Sequence, residues 1–312
     1  MTQTSTTQST SPAPSPLSQL FAAGRDIKLS HTVFALPFAL LAMYIAAASI
    51  ERFPLTSEFA LVVACMFFAR SAAMLSNRLL DMKIDAANPR TAGRAIPAGK
   101  LSAPFARLLI LVCAVAFFIS AAGFYYLHNN PWPLYLSPLV FIYLGFYSLT
   151  KRFTWLCHLY LGSSLAISPL AAALAIQPTS LFLPELWCLA AMVACWVAGF
   201  DIIYALQDVE FDKDNNIFSM PASLGVENAL MCSRWLHATA LFCLTTSIYF
   251  SHTLSLYFMI AAALTATLLL LEHTLVWKSK TNHIHHAFLT INGLISILLG
   301  AAGIVDILFA LN

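Results

Sequence analysis

Two stretches of this 312-residue chain set carboxylates four residues apart. The first reads Asn77-Arg-Leu-Leu-Asp81-Met-Lys83-Ile-Asp85. The second reads Asp201-Ile-Ile-Tyr204-Ala-Leu-Gln-Asp208-Val-Glu210-Phe-Asp212. On a helix, positions spaced by four residues share a face. Each stretch therefore forms a column of oxygen atoms, the first about 12 Å long at the helical rise. Like charges so arranged repel one another, and a cation relieves the repulsion. Hard oxygen donors with no His or Cys between them suit Mg²⁺, which commonly completes its shell with phosphate oxygens. The columns thus point to a metal-held diphosphate. A solvated helix face or a cap would explain one such cluster. It explains two of equal spacing poorly, because each is followed by a Pro-containing loop: Asn88-Pro-Arg90-Thr-Ala-Gly-Arg94-Ala-Ile-Pro97-Ala-Gly99-Lys100 after the first, and Lys213 with Ser219-Met-Pro221-Ala-Ser223-Leu-Gly225 after the second.

The elements that position these columns follow from composition. The chain is 60% hydrophobic and 10% charged, against roughly 45–50% and about 25% in soluble domains. So little charge cannot cover a water-soluble globule, which excludes a soluble enzyme, a disordered chain and a nucleic-acid binder. The apolar stretches are continuous rather than alternating, which argues against a β-barrel. The expectation is an all-α polytopic membrane protein with nine transmembrane helices in a bundle around a central cavity. The segments are 31–50, 58–79, 103–125, 133–150, 155–176, 185–206, 228–249, 253–276 and 285–309, each near the length needed to span a bilayer. Residues 1–20 are rich in Ser, Thr, Gln and Pro and carry no charge; they read as a disordered tail rather than a signal peptide. One membrane domain then covers 21–312. Of the 16 Lys and Arg residues, 14 fall on the side of the N-terminus, with Arg52 in an opposite loop and Arg70 inside a span. This asymmetry predicts a cytoplasmic N-terminus, an outer C-terminus and a site that opens to the cytoplasm. The seven cysteines form no C-x-x-C and read as small core residues.

At these residues the sequence resembles the UbiA superfamily of intramembrane aromatic prenyltransferases. Its N-x-x-x-D-x-x-x-D and D-x-x-Y-x-x-x-D-x-x-x-D motifs are completed by Asn77, Asp81 and Asp85 and by Asp201, Tyr204, Asp208 and Asp212. Its R-x-x-P-x-G loop is similar to Arg94-Ala-Ile-Pro97-Ala-Gly99, and its Lys-Arg-x-Thr to Lys151-Arg152-Phe-Thr154. The resemblance runs over roughly residues 25–310. It implies an Mg²⁺-dependent transfer of a prenyl chain from a polyprenyl diphosphate to an electron-rich ring carbon of a hydroxylated aromatic carboxylate, in a bacterial inner membrane. It makes Asp81, Asp85, Asp201, Asp208 and Asp212 catalytic, and Asn77, Asp81, Asp85, Asp208 and Asp212 the metal ligands. Lys83, Arg94, Lys151, Arg152, Tyr204 and Lys213 are implied as diphosphate partners. Arg78 stands where many relatives carry Asp. The stretches Ser30-His31-Thr32-Val33-Phe34-Ala35-Leu36-Pro37 and Thr150-Lys-Arg-Phe-Thr-Trp155-Leu-Cys-His158 look most like the branch that prenylates a dihydroxynaphthoate for menaquinone; the ubiquinone branch takes 4-hydroxybenzoate.

Arg70 precedes Asn77 by seven residues and so lies on nearly the same face; it could hold the acceptor's carboxylate or pair with an acid of another helix. Arg25 and Lys28 are further acceptor candidates, or ordinary basic anchors. His283-Ile-His285-His286 could bind a metal but reads more simply as a solvated loop. Beside the polyprenyl diphosphate, the aromatic acceptor and membrane lipid, no nucleic-acid partner is expected. Alternatives are a related enzyme acting on haem or a glycerol phosphate lipid, and a secondary transporter. The latter favours broken helices with acids near mid-membrane.

Overall fold

The computed structural model describes residues 14–27, 34–279 and 284–312, with side-chain surroundings for all of these except 278–279 and 284–289. Helix is the only regular structure among the described residues. The helices are α1 (Pro16–Asp26), α2 (Leu36–Ala48), α3 (Thr56–Leu80), α4 (Met82–Ala87), α5 (Ala103–His128), α6 (Trp132–Thr150), α7 (Cys157–Ile176), α8 (Pro184–Ala205), α9 (Val209–Asp214), α10 (Met220–Leu224), α11 (Val226–Phe250), α12 (Leu256–Ser279) and α13 (Ile284–Leu311).

Each of the nine expected segments overlaps one helix, but only seven of the described helices are long and apolar enough to cross a membrane. The first exception is α2. Its 13 residues give about 20 Å of rise, against about 30 Å of hydrocarbon. It is apolar on every side, and Phe38, Leu41 and Met43 are fully buried inside the bundle. The second is α11, whose Glu227, Asn228, Arg234 and His237 dilute its hydropathy. The seven qualifying helices make the chain an integral membrane protein.

The expected boundary of the tail moves. Ser15 caps α1 with Pro16 behind it, and its hydroxyl accepts the N–H of Ser18 at 3.3 Å. Gln19 is buried; its Oε1 accepts the N–H and hydroxyl of Ser102, the N-cap of α5, at 3.0 and 2.9 Å. Residues 16–20 are therefore helical and docked. Residues 1–13, Lys28 and His283 lie outside the described residues, as do the side chains of His285 and His286.

Links 81–102, 151–156 and 206–225 share one end of the bundle. At the other end Arg52 grips Glu58 through two nitrogens, at 2.6 and 2.8 Å. There also Asp306 accepts the N–H groups of Ser255 and Phe258, each at 2.8 Å, holding the start of α12.

The interior is packed by α8 against α7 and α11. Trp196 of α8 is fully buried, with ring centroids 5.0 Å from Phe200, 5.6 Å from Phe38 and 6.4 Å from Phe34. Its Nε1 donates to Asn292 Oδ1 at 2.8 Å, and Asn292 Nδ2 donates to Glu272 Oε1 at 2.7 Å. A buried indole N–H requires such a partner, and this chain of bonds ties α12 and α13 to α8. Two apolar grooves, of about 410 and 260 Å³, lie between α11 and α12 and between α12 and α13, away from the acids.

The α7–α8 crossing depends on Gly162, where an added Cβ would stand 2.1 Å from Ala194 O and 3.2 Å from Ala198 N. Within a helix Gly→Ala ordinarily gains about 0.5–1 kcal/mol. Here the collision is with backbone, and overpacking costs about 1–3 kcal/mol. Gly162→Ala should therefore lower the thermal midpoint in detergent. Gly145→Ala on α6, where nothing lies within 4 Å, should leave it unchanged or raise it.

Candidate active site

Both columns form, but neither lies on a continuous helix as the spacing alone suggests. Helix α3 ends at Leu80. Asp81, with φ −92° and ψ 6°, is its C-cap and also precedes α4. Helix α8 ends at Ala205, a 3₁₀ turn covers Leu206–Asp208, and Asp208, with φ −114° and ψ 7°, precedes α9. The breaks fall at matching positions: each column has a side chain four residues before the break (Asn77, Tyr204) and an acid four residues after it (Asp85, Asp212).

The breaks turn the acids into a common region where Lys and Arg from other elements meet them. Asp81 is fully buried. Its Oδ2 receives Lys151 Nζ at 2.6 Å and Asn77 Nδ2 at 2.9 Å, while Arg152 Nη2 stands 3.4 Å from Oδ1. Arg152 also donates to Leu80 O at 2.7 Å, one of the carbonyls left open where α3 ends. Asp85 is buried too and takes Arg94 Nη1 at 2.6 Å on Oδ1; its Oδ2 has no hydrogen-bond partner.

Asp208 joins the two units. Asn88 Nδ2 and Arg90 Nε donate to its Oδ1 at 2.9 and 2.8 Å, and Arg90 Nη2 pairs with Oδ2. Arg90 Nη1 donates to Tyr204 Oη at 3.0 Å, and its guanidinium lies 5.4 Å from the Tyr204 ring centroid. Burial alone would lower the Arg90 pKa, but Asp208 and Tyr204 offset it and hold the group above its ordinary value. The loop after the first column is thus latched onto the second. Asp212 is buried, its backbone carbonyl accepting Ile217 N–H at 2.9 Å, and Asp201 meets His158 at 2.7 Å.

The structure therefore gathers Asn77, Asp81, Asp85, Arg94, Lys151, Arg152, Asp201, Tyr204, Asp208 and Asp212. Lys83, Lys213 and Arg25 are exposed and enter no ion pair among the described residues. Arg70 is partly buried on α3. Residues that the spacing did not single out complete the site. Arg90 and Asn88 sit in the basic loop, where charge and a neighbouring Pro were the available signal. Buried Arg78 stands 3.5 Å from Asp26 and fastens α1 beside the first column. His158 ends the stretch 150–158 that carries the resemblance, but nothing in its spacing marked it as a partner of Asp201.

Among the described residues no three His, Cys, Asp or Glu side chains converge on a metal position. The donor set nevertheless fits Mg²⁺ in kind. It is all hard oxygen, and the buried Asp85 Oδ2 is unpartnered. Mg²⁺ usually takes one or two carboxylates and fills its octahedron with water and phosphate oxygens.

Several known proteins are similar to the chain. The UbiA prenyltransferase family pattern matches residues 35–296, which includes both columns and the loops that meet them. A 4-hydroxybenzoate octaprenyltransferase of Vibrio cholerae is 31% identical over 171 residues, 54% of this chain and 55% of that protein. The chain thus spans about half the length of such curated relatives. The apo structure of a UbiA homolog from Aeropyrum pernix K1 superposes with a TM-score of 0.77 at 32% identity, covering 89% of this chain and 98% of that one. A UbiA homolog from Archaeoglobus fulgidus, solved with GPP and Mg²⁺, has a TM-score of 0.69 at 18% identity over 92% and 99% of the two chains, a likeness of fold. By its family pattern, its fold and its like-spaced acid columns, the chain belongs to the UbiA prenyltransferase family.

Proposed function

We propose that this protein transfers a polyprenyl chain from its diphosphate to the ring of a hydroxylated aromatic carboxylate, with Mg²⁺, at the cytoplasmic face of a bacterial inner membrane. The observation that carries the reading is the pairing of two broken acid columns with a surrounding set of Lys and Arg at one end of an apolar bundle. Asp81, Asp85, Asp208 and Asp212, with Asn77, would hold the metal. Arg90, Arg94, Lys151 and Arg152 would then turn from the carboxylates to the diphosphate oxygens, with Tyr204 beside them and Lys83 and Lys213 recruited from the exposed ends of their helices. Arg70, with Arg25 and Lys28 as further candidates, would hold the acceptor's carboxylate. When bound, Mg²⁺ would neutralise the charge that builds on the leaving diphosphate. The apolar interior keeps water from the allylic cation. The acceptor's ring carbon supplies the electron pair for the new C–C bond, and the proton on that carbon is lost as the ring regains aromaticity.

The fourteen basic residues gathered on one side support a cytoplasmic N-terminus, an outer C-terminus and a site reached from the cytoplasm. The acceptor choice follows the relatives and the sequence resemblance: 4-hydroxybenzoate is the substrate named for the Vibrio protein, whereas the stretches around His31 and His158 look most like the branch that uses a dihydroxynaphthoate.

Membranes holding the protein, supplied with Mg²⁺ and labelled polyprenyl diphosphate, should yield lipid-soluble label with 4-hydroxybenzoate or 1,4-dihydroxy-6-naphthoate. EDTA should abolish it. Asp81→Asn or Asp208→Asn should each lower it by more than about 100-fold, beyond the 10–100-fold typical of residues that only support metal ligands. No product with either acceptor, although the diphosphate binds, would move the activity to another acceptor. In a second assay, Arg70→Ala should raise the acceptor's KM and leave that of the prenyl diphosphate unchanged. A change confined to the diphosphate's KM would remove Arg70 from the acceptor site.

A further inference from the structure

His158 stands on the first turn of α7 and is 4% exposed. Its two ring nitrogens face different elements. Nδ1 is 2.7 Å from Asp201 Oδ2 on α8. Nε2 lies 3.2 Å from the backbone N of Met220, the first residue of α10. A backbone N–H can only donate, so Nε2 must present its lone pair. The single proton of the neutral ring is then on Nδ1 and is donated to Asp201. A doubly protonated ring would set two N–H groups against each other at Met220. The surroundings thus select one tautomer and aim it at one carboxylate oxygen.

The same ring anchors the segment before α10. Phe218 N donates to Lys151 O at 2.8 Å and Cys157 Sγ to Phe218 O at 3.4 Å, stitching 217–220 to the link between α6 and α7. That segment is also tied to Asp212, whose backbone carbonyl accepts the N–H of Ile217 at 2.9 Å. One imidazole therefore fixes Asp201 directly and Asp212 through the chain at 217–220. Asp201 and Asp212 are the two ends of the second column.

We propose that His158 is a positioning residue of the diphosphate site, holding the second acid column in register through its Nδ1–H bond to Asp201. This rests on the reading of the columns as a metal–diphosphate site. The test is the affinity of the purified, detergent-solubilised protein for geranyl diphosphate with Mg²⁺, measured by titration calorimetry, with thermal midpoints as a folding control. His158→Ala should weaken binding by about 10–100-fold, the usual effect of removing a group that orients metal ligands. His158→Asn places an amide N–H where Nδ1–H stands and should recover most of the loss. His158→Gln, which reaches the place of Nε2, should not. The double variant His158→Ala/Asp201→Ala should lose clearly less than the product of the two single effects, because the two share the Nδ1–H to Asp201 bond. Multiplying effects, or an Asn variant as weak as the Ala variant at an unchanged midpoint, would overturn the assignment. Should His158→Ala fail to fold, the comparison of Asn with Gln still decides. If the wild-type protein binds no Mg²⁺–prenyl diphosphate at all, the functional reading itself fails and the assignment falls with it.

Discussion

Carboxylates buried at the edge of an apolar bundle must be neutralised, and the acid-bearing end is arranged around that need. Asp81 is fully buried and Asp85 is 3% exposed. Removing such a group from water costs several kcal/mol unless a counter-charge and further hydrogen bonds compensate it. Compensation comes from outside each acid's own helix: Lys151 and Arg152 from the end of α6 and the link after it, and Arg90 and Arg94 from the link after α4. Links that would otherwise be loosely held over the bundle end are thereby pinned, and α1 is pinned in turn through Asp26 and Arg78.

The helix breaks belong to the same solution. An uninterrupted α3 or α8 would stack its acids at one spacing along one face. Ending α3 at Leu80 frees carbonyls, and Arg152 bonds one of them while also approaching Asp81. The 3₁₀ turn at Leu206–Asp208 likewise sets Asp208 where Asn88 and Arg90 from the other unit reach it. Broken helices were the feature expected of a transporter. These breaks lie at the ends of long helices, beside basic links, and so bear on a charged ligand held at the bundle end.

Much of this was legible in the sequence because it rests on local periodicity. The apolar stretches locate every long helix, and the four-residue spacing finds both columns. Interactions over long sequence distances were not legible. Repulsion between carboxylates pointed to a metal ion, whereas the side chains of Lys and Arg already supply the cations here. Arg90 lies 118 residues from Asp208, and neither stretch names the other. His158 lies within a stretch that resembles one branch of the family, yet only the fold brings it to Asp201. The start of α1 was readable from Ser15-Pro16, a strong N-cap signal, but the polar composition around it masked the helix. The shortness of α2 was hidden because apolar residues continue past it on either side.

The two acid-and-loop units, although without an evident sequence repeat, match in spacing, in the position of the break and in the link on its C-terminal side. Asn77 and Tyr204 precede the breaks, Asp85 and Asp212 come after them, and a Pro-containing link completes each unit. Most of their partners come from outside the unit: Arg90 after the first unit holds Asp208 of the second, and Lys151 and Arg152 after α6 hold Asp81 of the first, whereas Arg94 holds Asp85 of its own unit. This cross-pairing has an electrostatic consequence for the proposed ligand. A divalent cation alone would displace the bases from the acids and leave them unpaired. A diphosphate alone would draw off the bases and leave buried carboxylates bare. Arriving together, the two would let acids and bases trade one partner for another, so that no buried charge would be left uncompensated. On the proposed function, the resting ion pairs would thus favour joint binding of the cation and diphosphate over binding of either one.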